Sequence, residues 1–129
     1  MTAVCFNLLA ISLGAAVGAC LRWGLGLATL HGQTAWPMGT LAANWIGAYL
    51  IGLASAYFAA HTAVPPAVKL LVATGFLGGL TTFSTFSLEA VQLLQLGRWG
   101  DFASHFVLHV VGCLLLTVLG MASYKGVWV

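Results

Sequence analysis

Between Gly78 and Glu89 the chain reads GGLTTFSTFSLE, inside an otherwise apolar run. Two glycines invite the helix to unwind. The hydroxyls of Thr81, Thr82, Ser84, Thr85 and Ser87 follow, interrupted by Phe83 and Phe86. If a helix resumes after Gly79, steps of about 100° per residue set Thr82, Thr85 and Glu89 on one narrow arc. Phe86 borders that arc and Phe83 lies next round it. A hydroxyl is a hydrogen-bond donor, and an aromatic ring is electropositive at its rim. The chemistry this stretch can do is therefore to hold a small anion by neutral donors. Glu89, the one acid within a span, lies on the same side.

Three further sets repeat the four-residue step. Thr40, Asn44 and Ala48 share a face, and the Asn44 amide carries two N–H donors. Asn44 can equally bond one helix to another, the usual work of an asparagine in a membrane. Arg22 follows Gly14 and Gly18 on one face. It reads either as a fixed positive charge drawing anions into a vestibule or as a span-end arginine reaching the headgroups. His105, His109, Cys113 and Thr117 form a polar stripe along the last apolar run. Two histidines four apart are a metal-ligand spacing. The stripe is read as lining a polar path rather than as a metal site, with His109 and Thr117 on it. The reading leaves open which of His105, His109 and Cys113 face that path.

The elements that must position these groups are membrane helices. Of 129 residues 61% are hydrophobic and 5% charged, with a mean hydropathy of +1.04. A water-soluble domain carries about 25% charged residues. Runs of apolar residues between breakers predict an all-α integral membrane protein, a single four-helix domain over 1–129 with spans at about 3–30, 38–60, 67–96 and 102–123. The breakers are HGQTAWP, HTAVPP and GRWGD. Trp23, Trp36 and Trp99 fall near span ends, where indole rings favour the interface; Trp45 does not, and is read as packing. Gly14 with Gly18, Ala15 with Ala19, and Ala43 with Gly47 give the small-xxx-small spacing that lets helices approach closely. Cys5, Cys20 and Cys113 have no motif spacing and read as packing residues. VGAC at Val17–Cys20 loosely resembles a lipoprotein cleavage box, but MTAVCFN before the apolar run carries no basic residue, so the first helix is kept.

Charge gives the orientation no bias. Arg22 and Arg98 lie toward one side and Lys69 and Lys125 toward the other, two against two. A chain without bias can insert both ways, and oppositely inserted copies can pair about an axis in the membrane plane. Four basic and two acidic residues leave no basic face for nucleic acid. Paired carboxylates, nucleophile triads and cofactor loops are missing from the pattern, which argues against an enzyme. Backbone freed at a helix break is tolerated at membrane depth only when buried or lining a cavity, where its carbonyls can hold a cation. An anion path without full charges in mid-membrane, suited to a small and strongly hydrated ion, is the reading these residues support. A proton-coupled exporter of the small multidrug type needs a carboxylate deep in its first span, and this span has none. A structural membrane protein without transport is the remaining class.

GGLTTFSTFSLE, with GTLAANWIG at Gly39–Gly47, LRW at Leu21–Trp23 and a histidine-bearing last span, resembles the Fluc fluoride channels, also called CrcB. The resemblance covers the chain in length, span count and motif order. It implies an antiparallel dual-topology homodimer in the bacterial inner membrane, with two antiparallel pores that pass fluoride, reject chloride and relieve fluoride toxicity. It implies that Phe83, Phe86 and Asn44 line the pores, with Thr40, Ser84, Thr85 and Glu89 on or near a polar track and Arg22 at the vestibule. A third helix broken near Gly78–Thr81 is implied to offer the carbonyls of Gly78 and Thr81, from both subunits, to a structural sodium ion on the dimer axis.

Overall fold

The computed structural model describes residues 2–30 and 38–124; Trp36 and Lys125 lie outside them. The described chain is all α. α1 (Thr2–Leu30) and α2 (Met38–Ala60) are followed by α3 (Pro66–Lys69), which runs through a π-helical stretch, Leu70–Leu77, into α4 (Gly78–Leu80). α5 (Phe83–Gln95) and α6 (Trp99–Ala122) complete it. Four stretches among the described residues are long and apolar enough to cross a bilayer, the third made of α3 to α5 together. The protein is a multi-pass membrane protein. Its outward faces are those of lipid-soaked helices: Leu9, Leu13 and Val17 on α1 and Leu115 and Leu119 on α6 are all more than half exposed.

Packing places α1 along the π-helical stretch and α4, and α2 along α6. Ala43, Leu77 and Leu80 form the buried centre, with Leu25, Leu50, Ile51, Val72 and Phe76 around it. Trp45, read as packing from sequence, does more than fill space. Its indole N–H donates to the Leu108 carbonyl of α6 at 2.9 Å, a polar bond of the kind that joins helices where water cannot.

The glycine spacing on α1 has a concrete cause. A methyl at Gly18 would press into the Phe76 carbonyl and stand 2.7 Å from the Leu80 amide nitrogen, so only glycine lets α1 lie against the third span here. Gly24 on the same helix has nothing within 4 Å of a built Cβ. Gly18→Ala is therefore expected to destabilise the protein by about 1–3 kcal/mol. Gly24→Ala should be neutral or stabilising, since alanine is the better helix former. Denaturant midpoints of the two variants in detergent check this, and equal midpoints would refute it.

α5 stops where the sequence lets it. Gly97 has φ of +69°, its N–H bonds to Leu94 and that of Arg98 to Leu93. This is the Schellman arrangement that closes a helix on a left-handed glycine. Arg98 then pairs with Asp101 at 2.7 Å across the first turn of α6.

Candidate functional site

The middle of the third span is where the backbone departs from a helix, and the departure is set by side chains. Gly78 and Gly79, read from sequence as the interruption, stay helical in α4. The extended residues are Thr81 (φ −85°, ψ 156°) and Thr82 (φ −150°, ψ 121°), a step further on. Glycine permits an unwound backbone but does not demand one; what demands it here is a partner. Asn44 clamps Thr82 from α2, its Nδ2 donating to the Thr82 carbonyl at 3.0 Å and its Oδ1 accepting the Thr82 N–H at 2.7 Å. Asn44 is buried, and neither bond uses its second amide hydrogen.

Thr82 then starts α5. Its Oγ1 accepts the Thr85 N–H at 3.2 Å, an N-cap, and lies 3.1 Å from both the Ser84 and Thr85 hydroxyls. These contacts redirect two backbone donors. In an unbroken helix the N–H of Thr82 would go to the Gly78 carbonyl and that of Thr85 to Thr81. Here the first goes to Asn44 and the second to the Thr82 hydroxyl. The Gly79 carbonyl is met instead from α1, by Arg22 Nε at 3.1 Å.

Two cavities adjoin the break. A groove of about 490 Å³ is lined by Asn44, Gly78, Thr81, Phe83, Phe86, His109 and Thr117 among others. A pocket of about 300 Å³ holds Arg22, Thr40 and Thr85, and Thr82 borders both. Phe83 and Phe86 stand 5.4 Å apart between ring centres but in different settings. Phe83 is 77% exposed and Phe86 only 5%. Phe86 is packed on the imidazoles of α6, 5.2 Å from His105 and 4.6 Å from His109.

Behind Phe86 lies a second polar cluster. Thr40 donates to Glu89 Oε1 at 2.6 Å, while Glu89 Oε2 is 3.5 Å from His105 Nε2. His109 Nδ1 is 3.1 Å from the His105 carbonyl. Glu89 Oε2, His105 Nε2 and His109 Nε2 are buried without a hydrogen-bond partner. Each such atom costs about 1–3 kcal/mol, so the cluster is held at the expense of stability.

With this geometry in place, comparison with known proteins is decisive. The family model described as CrcB-like protein, Camphor Resistance (CrcB), matches residues 9–121. The chain belongs to the CrcB family. A protein of Cupriavidus taiwanensis named fluoride-specific ion channel FluC is 53% identical to it over 116 residues, covering 90% of this chain and 92% of that protein. Proteins of the same name from Pseudomonas aeruginosa and Bordetella petrii are 55% and 50% identical, covering 91% and 95% of this chain and 92% and 94% of their own. The family resemblance read from GGLTTFSTFSLE and GTLAANWIG is borne out.

For a CrcB chain the distribution of the residues singled out from sequence is informative. Asn44, Phe83, Phe86, His109 and Thr117 share the groove. Arg22, Thr40 and Thr85 share the pocket. Ser84 is exposed beside Thr82. Glu89 sits with Thr40 on one side and His105 on the other. Thr117 also donates to the Ala48 and Cys113 carbonyls, bonding α6 to α2. Two residues carry more than their spacing announces. Thr82 is the hub of the break, and its signal in the sequence is a threonine directly before the apolar residue that opens the next helix, Phe83. His105, which the sequence leaves undecided, is the imidazole nearest Glu89, a carboxylate brought to it by the packing of α5 on α6.

Proposed function

We propose that this chain is a passive, fluoride-selective channel of the bacterial inner membrane that lets cytoplasmic fluoride out and so relieves its toxicity. The observation that carries the reading is the groove where Asn44, Phe83 and Phe86 meet the polar face of α6, in a chain about half identical to proteins named fluoride-specific ion channel. The donors there are neutral: the free amide hydrogen of Asn44, the Thr82 hydroxyl, and the rims of two phenylalanines. Fluoride is small and accepts strong hydrogen bonds, so closely spaced neutral donors replace its water without trapping it. Arg22, beside Thr40 and Thr85, adds positive potential at the entrance.

In this reading two copies pair antiparallel and form two pores, each drawing on both subunits. The large exposure of Phe83 and the open side of the groove support a partner, as does the balanced charge count. A structural sodium ion on the dimer axis fits the backbone chemistry of the break. The carbonyls of Gly78 and Thr81 have lost their helical donors to Asn44 and to the Thr82 hydroxyl, and a hard cation takes oxygen ligands. Gly78 and Thr81 of both copies would hold it, and its charge would fix the two breaks against each other.

The test is efflux from liposomes containing the purified protein, with fluoride and chloride followed side by side. A second preparation replaces sodium throughout by a bulky organic cation, and the protein's mass is measured in detergent. Expected are fast fluoride release, silent chloride, a two-chain mass and lower activity without sodium. A folded protein that released no fluoride, or chloride equally fast, would overturn the channel reading; a one-chain mass would overturn the dimer.

A further inference from the structure

Glu89, His105 and His109 come from two helices and converge on one point. A ligand atom from each lies within 4.8 Å of the other two. The three groups that converge are also the three that carry buried side-chain atoms without a partner: Glu89 Oε2, His105 Nε2 and His109 Nε2. His105 is 1% exposed and His109 4%. We propose that Glu89, His105 and His109 form a binding site for a divalent transition-metal ion of the zinc class, and that a metal bound there closes the fluoride path.

The surroundings are those of a prepared site. A carbonyl only accepts, so the contact of His109 Nδ1 with the His105 carbonyl at 3.1 Å puts the proton on Nδ1. That leaves the Nε2 lone pair bare for a metal. Metal-bound histidines characteristically give their other N–H to such an acceptor. The Thr40 hydroxyl occupies Glu89 Oε1 at 2.6 Å and leaves Oε2 as the ligand. Ligands about 2.0–2.1 Å from zinc stand about 3.4 Å apart along a tetrahedral edge, and His105 Nε2 is already 3.5 Å from Glu89 Oε2. His109 closes the third corner by a small ring movement. Two imidazoles and one carboxylate are a common zinc set that leaves a fourth position open. His109 lines the groove, so that position admits water or an anion from it.

The binding claim stands on geometry alone; the closure claim rests on the channel reading. The experiment titrates metal-free protein in detergent with cobalt(II), read by the visible bands of four-coordinate cobalt. Retained zinc is counted after dialysis. Expected is one ion per chain, lost in Glu89→Gln, His105→Gln and His109→Gln, and unchanged in His61→Ala, whose ring is exposed at the far end of α2. Thr40→Val, which removes only the hydrogen bond to Oε1, should weaken binding about 10–100-fold and keeps the test informative if a ligand variant misfolds. In liposomes zinc should suppress fluoride efflux and a chelator restore it. Folded wild-type protein that retains no zinc, or a stoichiometry lost with His61→Ala, would overturn the site. Zinc retained while efflux is unchanged would overturn the closure and leave the site. Efflux absent even without zinc would be a failure of the channel reading, with the dialysis count still deciding the site.

Discussion

Replacing Phe83 or Phe86 by isoleucine is expected to cut fluoride efflux by about two- to tenfold, through different routes. An aromatic rim offers a fluoride ion a weakly positive edge, and interactions of this quadrupole are worth about 0.5–1.5 kcal/mol. About 1.4 kcal/mol added to a barrier slows passage tenfold. Isoleucine keeps bulk and apolarity but has no such edge. Phe83 is 77% exposed within its own chain, so Phe83→Ile should disturb the fold of that chain little and act mainly on flux. Phe86 is buried between Phe83 and the two imidazoles. Its replacement shrinks a packed side chain and should lower stability as well. Efflux and denaturation run on the same preparations separate the two effects. A Phe83→Ile protein with wild-type flux would remove that ring from the path.

The second large effect is expected at Asn44. Asn44→Leu preserves size and removes both bonds to Thr82. The Thr82 N–H and carbonyl then face an apolar side chain, at about 1–3 kcal/mol each, and the helix break loses the partner that holds it open. Fluoride efflux should fall to the level of empty liposomes, with the unfolding midpoint lowered. Asn44→Asp is the sharper probe. It can still accept the Thr82 N–H, but it loses the donor to the carbonyl and sets an acceptor where the anion needs a donor. Stability nearer wild type with flux still lost would assign Asn44 two roles, clamp and donor. If Asn44→Leu kept both stability and flux, the clamp would have no bearing on conduction.

The second expectation depends on a feature that periodicity misplaces. GGLTTFST announces a disturbed helix, because paired glycines and a run of short hydroxyl side chains offer the backbone alternatives to helical bonding. It does not say which residue leaves the helix. Read outward from the glycines, the interruption falls at Gly78–Gly79; in the folded chain those two are helical and Thr81 and Thr82 are extended. The difference is made by Asn44, on another helix, whose amide outcompetes the intrahelical acceptor for one N–H.

What the sequence determined by itself was whatever depends on composition and local spacing. With 61% hydrophobic and 5% charged residues gathered in continuous runs long enough for helical spans, a lipid-embedded helical chain satisfies both side chains and backbone. The three- and four-residue steps at Thr40–Asn44, Thr82–Thr85 and His105–His109 put polar groups on shared faces because a helix repeats every 3.6 residues. Tertiary structure alone decided what those faces meet. Asn44 finds Thr82, Arg22 finds the Gly79 carbonyl, and Glu89 finds Thr40 and His105, each across a gap in sequence that no helical period spans. A helical repeat fixes direction around one axis. How close two axes lie, and at what height their faces meet, is set by contacts such as Gly18 against Phe76, and these exist only once the helices have packed.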